Sequence, residues 1–265
     1  MMAALRRDNR EFALCVVTGT KGSTPRAAGA KMLVFRDGKT WGTIGGGTVE
    51  RKVIQDAREA LSGGKPRNCH YDLLHDLQMC CGGSMDIYIE PIMKKNKLYI
   101  FGAGHTGQAL ARRAADFDFE ITVIDDRPEY LGEVQAAGST LLQAGHQEAL
   151  RTLPFDGSTY ITIMTYNHTL DREILSACLE KPHAYLGMIG SRRKVAVTRR
   201  LFEEEGRGTL DQHDEVDMPM GLYIGAEGPD EISISILAQL ISVKNKKNAA
   251  CNSDQQPLSP APQKG

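Results

Sequence analysis

Gly102, Gly104 and Gly107 stand at the spacing G-x-G-x-x-G inside "YIFGAGHTGQALARRA", between an apolar run and a helix-forming one. Such a turn handles an anion without using a side chain. The first glycine permits the tight bend, the second lets a pyrophosphate approach the backbone, and the third lets helix and strand pack closely. Amides at the start of the following helix then face the anion. Asp125 follows Gly104 by 21 residues, at the end of the next apolar run, where an acid can bind a ribose hydroxyl. His105 lies inside the turn, so its side chain projects near the phosphate position or, as an ordinary helix-start residue, into solvent. Because the same turn also forms in doubly wound domains that bind other nucleotides or none, an NAD-dependent oxidoreductase is one expectation among several.

Other residues favour the same kind of ligand. "MIGSRRK" ends an apolar run in a small-residue turn followed by Arg192, Arg193 and Lys194, with Ser191 placed to cap the next helix. Helix amides and three cations together suit phosphate, although a charge run can equally be a solvated face. "TYNHTLD" sets His168 and Asp171 at another run's end. Both are candidates for ligand contact, and Asp171 has the competing role of capping the following helix. Earlier in the chain, Gly45, Gly46 and Gly47 precede Glu50 in "TIGGGTVE", a second candidate anion-binding turn. "MCCGGSMD" places Cys80 and Cys81 before two glycines. Vicinal cysteines do not match zinc-ligand spacing, and Cys69, His70 and His75 are not at finger-like intervals. Cys81 is therefore either an inert structural thiol or a soft-metal ligand beside glycine amides. No P-loop, H-E-x-x-H or Ser-His-Asp arrangement defines a hydrolase or kinase.

The elements that would position these residues fall into two groups. Residues 1–93 mix α and β. "FALCVVTGT" and "AKMLVF" read as strands around the loop "KGSTPRAAG". Val49, Val53, Ile54, Ala57 and Leu61 recur at helical spacing, with Thr48 as the expected N-cap. In "SMDIYIEPI", Met85, Ile87 and Ile89 alternate inward as in a half-buried strand. After "KKNK", residues 97–247 alternate strand and helix. "KLYIFGAG", "EITVID", "STLLQ", "YITIMT" and "AYLGMIG" are the short apolar runs of buried parallel strands, with helical stretches between them. That order predicts a Rossmann-like, doubly wound parallel sheet, closed by an amphipathic helix carrying Ile232, Ile236 and Leu240. Residues 248–265 are polar and Pro-rich, the composition of a disordered tail.

Bulk properties narrow the partners. A formal net charge of −1 over 265 residues gives no electrostatic case for nucleic acid or an anionic membrane. No apolar run approaches the ~20 residues of a membrane span. The opening "MMAALRRDNREFALC" lacks the apolar core and cleavage site of a secretory leader. Six cysteines are too few for a disulfide scaffold, so a cytoplasmic setting is expected.

Taken in order, "GSTPRAAGAKMLV", "GTIGGGTVE", "CGGSMDIYIEP", "LYIFGAGHTGQALA", "VIDDRPEY", "TYNHTLD", "AYLGMIGSRRK" and "MGLYIGAEGPDEISISI" resemble the XdhC/CoxI family of accessory proteins for molybdenum hydroxylases such as xanthine dehydrogenase. The resemblance spans residues 11–247. It implies an N-terminal XdhC-type domain before the Rossmann-like one, commonly in a homodimer. It also implies molybdenum cofactor (molybdopterin) as cargo, sulfuration with a cysteine desulfurase, and delivery to the apo-subunit of a molybdenum hydroxylase. A chaperone without turnover of its own fits that pattern, and a nucleotide in the Rossmann half is a further expectation. Phosphate on the cargo suits the glycine turns and the Arg192–Arg193–Lys194 cluster, and a soft metal suits Cys81. Two positions depart from the family pattern: Thr48 stands where many members carry cysteine, and Gln239 where relatives tend to carry an acid.

Overall fold

The computed structural model describes residues 1–74, 82–207 and 215–250, with side chains through residue 246. Two compact units divide the chain, Met1–Lys94 and Lys95–Gly265.

In the first unit, β1 (Phe12–Lys21), β2 (Lys31–Val34), β3 (Thr40–Gly42), β4 (Arg67–Asp72) and β5 (Ser84–Ile92) form one antiparallel sheet in the order β3-β2-β1-β5-β4. Alternation along β1 decides its two faces. Ala13, Cys15 and Val17 point into a core shared with Val49, Val53, Ala57 and Leu61 of α2 (Gly47–Gly63), while Phe12 packs with Leu5 of α1 (Met2–Arg7). Met85, Ile87 and Ile89 face α2 as their spacing predicts. The expected cap at Thr48 is corrected: the N-cap is Gly46, two residues earlier, and α2 begins at Gly47. The short strands β3 and β4 carry no periodic apolar signal, and β3 leaves Trp41 53% exposed at the sheet edge.

In the second unit, β6 (Asn96–Phe101), β7 (Phe119–Asp125), β8 (Thr140–Gln143), β9 (Thr159–Ile163) and β10 (Tyr185–Met188) are all parallel, in the order β10-β9-β6-β7-β8. This is the doubly wound sheet expected from the alternating runs. Leu98 and Ile100 of β6 face α3 (His105–Ala114) and α8 (Gly228–Ala250). Tyr99 and Phe101 face the opposite layer, built from α5 (His146–Thr152), α6 (His168–Leu179) and α7 (Arg192–Glu205). A short α4 (Pro128–Gly132) follows β7. Helix α8 carries Ile236 and Leu240 into the core and runs to Ala250, past residue 248 where the tail is expected to begin. Strand order reverses between β6 and β9, so the loops leaving their carboxyl ends diverge, the usual place for a ligand in such a sheet.

Candidate functional site

The glycine turn joins β6 to α3. Gly102 has φ +113° and a Cβ there would strike the Met164 carbonyl; a Cβ on Gly107 would strike the carbonyl of Gly102. Both glycines are therefore demanded by packing. Gly104, the N-cap of α3, has ordinary extended backbone and nothing within 4 Å of a Cβ, so its missing side chain serves no internal contact. His105 is the first residue of α3 and is exposed.

Asp125 ends β7 as expected, with its side chain only 2% exposed. Its Oδ2 accepts from the Ala103 amide at 2.8 Å and from a terminal guanidinium nitrogen of Arg127 at 2.9 Å. Its Oδ1 accepts from Arg127 Nε at 2.8 Å and the Arg127 amide at 3.0 Å. Burial pushes the carboxyl up, but Arg127 and the two amides outweigh it and hold Asp125 below the usual carboxylate range. Arg127 lies between two rings, 4.0 Å from the Tyr130 centroid and 4.1 Å from that of Tyr166. Tyr166 also donates to Asp126 at 3.2 Å. The crevice beside Gly102, Asp125, Thr165 and Tyr166 measures about 30 Å³, room for little more than a water. The carboxylate that would meet a ribose is thus committed to an arginine. Sequence spacing carried no sign of this pair or of the tyrosines around it.

A larger cavity, about 360 Å³, opens where α6 and α7 begin. It gathers His168, Ser191, Arg193 and Lys194 from the expected residues, and adds Arg172 and Thr198. Arg192, first residue of α7, is exposed and does not line it. Asn167 caps α6 by accepting from the Thr169 amide at 2.8 Å, so the capping role expected of Asp171 is corrected. Asp171 instead accepts from the Thr165 amide at 2.9 Å and hydroxyl at 2.7 Å, while its other oxygen lies 3.2 Å from His168 Nδ1. Ser191 caps α7 as expected, accepting from the Lys194 amide at 3.4 Å. Arg172 sits one turn past His168 on α6, and Thr198 one turn past Lys194 on α7. That helical spacing was the signal available for both.

In the first unit, Gly45, Gly46 and Gly47 all take positive φ, and their turn curls around Glu50. One Glu50 oxygen accepts from the amides of Ile44 at 3.0 Å, Gly45 at 3.2 Å and Gly46 at 2.9 Å, and from the Thr43 hydroxyl at 2.5 Å. Partial burial raises this carboxyl, yet these donors together hold it below its ordinary value. The nest thus already carries an anion, its own. Thr48 accepts from the Arg51 guanidinium at 3.1 Å. Cys80 and Cys81 lie outside the described residues. Among the described residues no group of three His, Cys, Asp or Glu is arranged to hold a metal ion, and no helix is long and apolar enough to cross a membrane.

The XdhC Rossmann domain model matches residues 98–240, and the XdhC and CoxI family model matches residues 5–72. The chain is 39% identical over 250 residues to the uncharacterized protein YqeB of Escherichia coli (strain K12). That match takes in 92% of this chain and 45% of the relative, so the chain spans less than half of YqeB's length. It is 25% identical over 328 residues to a probable xanthine dehydrogenase subunit of Bacillus subtilis (strain 168), covering 93% of this chain and 97% of that one. Identity to the molybdenum cofactor insertion chaperone PaoD of E. coli (strain K12) is 24% over 264 residues, 87% and 83% of the two chains. A crystal structure of a xanthine dehydrogenase from Bacillus halodurans shares the fold, with a TM-score of 0.52 at 23% identity over 93% of this chain and 95% of that one.

Proposed function

The chain belongs to the XdhC and CoxI family, and on that premise we propose that it is an accessory protein for maturation of a molybdenum hydroxylase, carrying molybdenum cofactor as its cargo. The observation that carries this is the match of both family models, in order, to residues 5–72 and 98–240. In this account the protein receives the cofactor, supports its sulfuration by a cysteine desulfurase, and passes it to the apo-hydroxylase in the cytoplasm, working as a homodimer. The names of two relatives, a cofactor insertion chaperone and a probable xanthine dehydrogenase subunit, support the cargo. Cys81 is the thiol we assign to the metal end, because a thiolate is the soft ligand such a centre prefers.

The nicotinamide alternative draws less support from the glycine turn than the turn's spacing suggests. Asp125 already meets four donors, and the crevice beside it measures about 30 Å³. The two accounts separate in one set of measurements. The protein is expressed in a molybdopterin-producing host, and bound pterin is released by acid and iodine and read by fluorescence. Transfer to an apo-hydroxylase is assayed in parallel. Pterin on the protein and activation of the hydroxylase are expected, while calorimetric titration with NADH stays silent. Absence of both pterin and activation overturns the cargo assignment, and saturable NADH heat reinstates the alternative.

A further inference from the structure

We propose that the cavity between the N-termini of α6 and α7 is this chain's binding site for a phosphate monoester borne on a flat ring system, in preference to the glycine-rich turn. The proposal rests on the cargo assignment only for what that ring system is.

Three cations line the cavity, Arg172 from α6 and Arg193 and Lys194 from α7, and none forms an ion pair among the described residues. The single acid in the wall, Asp171, has a side chain 2% exposed and both oxygens engaged, one by Thr165 and one by His168. It orients the imidazole, and three cations against one carboxylate leave the wall net positive. Because His168 meets Asp171 through Nδ1, its Nε2 is the ring nitrogen left to meet a ligand. The amides of Arg192 and Arg193 open α7 with no acceptor among the described residues, and helix starts of this kind favour an anion.

Thr198 points independently to a ligand. The residue is 4% exposed and lines the cavity, yet its hydroxyl has no hydrogen-bond partner among the described residues. Its oxygen is not sealed in the core but opens onto the cavity, so the O–H is available to an acceptor bound there. Met188, Ile189 and Val197 supply an apolar wall beside the cations, which a free inorganic ion would not use. A volume of about 360 Å³ lies in the range of small-molecule pockets, against about 30 Å³ at the glycine turn.

The test uses the full chain with flavin mononucleotide, a fluorescent phosphate monoester on a flat ring, and riboflavin, the same ring without phosphate. Saturable quenching is expected with the phosphate ester, competed by inorganic phosphate, and far weaker with riboflavin. Replacing both Arg193→Ala and Lys194→Ala should weaken binding by at least about tenfold, since charge-assisted contacts are lost. Thr198→Val keeps the side chain's shape and should weaken binding several-fold with an unchanged melting temperature. Gly104→Ala should leave affinity unaltered. Equal affinity for riboflavin, or wild-type affinity in the double variant, overturns the proposal. Pterin content distinguishes this failure from that of the cargo assignment. Wild-type protein that binds the flavin ester but carries no pterin keeps the site and loses the cargo. A double variant with full pterin content loses the site and keeps the cargo.

Discussion

At Asp125 the carboxylate meets four donors, all from Ala103 and Arg127. Replacing it with asparagine leaves the Arg127 guanidinium without its anion, and about 1–3 kcal/mol of stability should be lost at neutral pH. The folded carboxyl titrates below its ordinary value, so its contribution is complete above the unfolded pKa of about 4 and falls away as pH drops through the folded one. Urea melts of wild type and Asp125→Asn should therefore differ at pH 7 and converge below about pH 4. The glycines divide just as sharply. Gly107→Ala drives a Cβ into a backbone carbonyl and should cost roughly 1–3 kcal/mol. Gly104→Ala meets nothing and should cost less than about 1 kcal/mol, the difference between glycine and alanine at a helix cap. Thermal melts of the two variants check this directly. Gln239, where the family pattern tends to an acid, accepts at one oxygen from Tyr185 Oη at 2.9 Å and the Gly221 amide at 2.5 Å. An amide oxygen accepts there as a carboxylate oxygen would, which gives the departure a physical reason.

At the scale of the element, the start of α2 shows a helix capped from inside its own first turns. Its N-cap glycine has no side chain to offer, and Glu50 reaches back over the preceding loop instead. Glu50→Ala would strand three amides and should destabilise the first unit by about 1–3 kcal/mol. Glu50→Gln, which retains an acceptor, should lose less. Hydrogen exchange at Ile44, Gly45 and Gly46 should quicken in the alanine variant, whereas unchanged protection would show that another group holds those amides. Long periodic elements were legible in the sequence: α2, β5, all five parallel strands and the helices α3, α6 and α7 follow their apolar spacing. The shorter β3, β4, α4 and α5 were not, because three to seven residues carry too little periodicity to separate them from loops.

At the scale of the whole chain, each buried hydrophobic cluster draws its residues from one unit alone, and the boundary follows the change from antiparallel to alternating order. The candidate site was legible in part. His168, Ser191, Arg193 and Lys194 could be read from their places after strands, but their convergence with Arg172 and Thr198 depends on β9 and β10 lying side by side, which local spacing does not state. The commitment of Asp125 to Arg127 was hidden for a similar reason, since a motif gives positions and not partners. The lone tryptophan at the edge of β3 has a practical consequence. Tyrosines lie in both units, Tyr71 and Tyr88 in the first and Tyr99, Tyr130, Tyr160, Tyr166, Tyr185 and Tyr223 in the second, whereas Trp41 is the chain's single indole and lies in the first. Light absorbed at the red edge of the protein band excites only Trp41, so its emission reports on one half of the chain alone. Red-edge excitation can then time events in the first unit with no label attached.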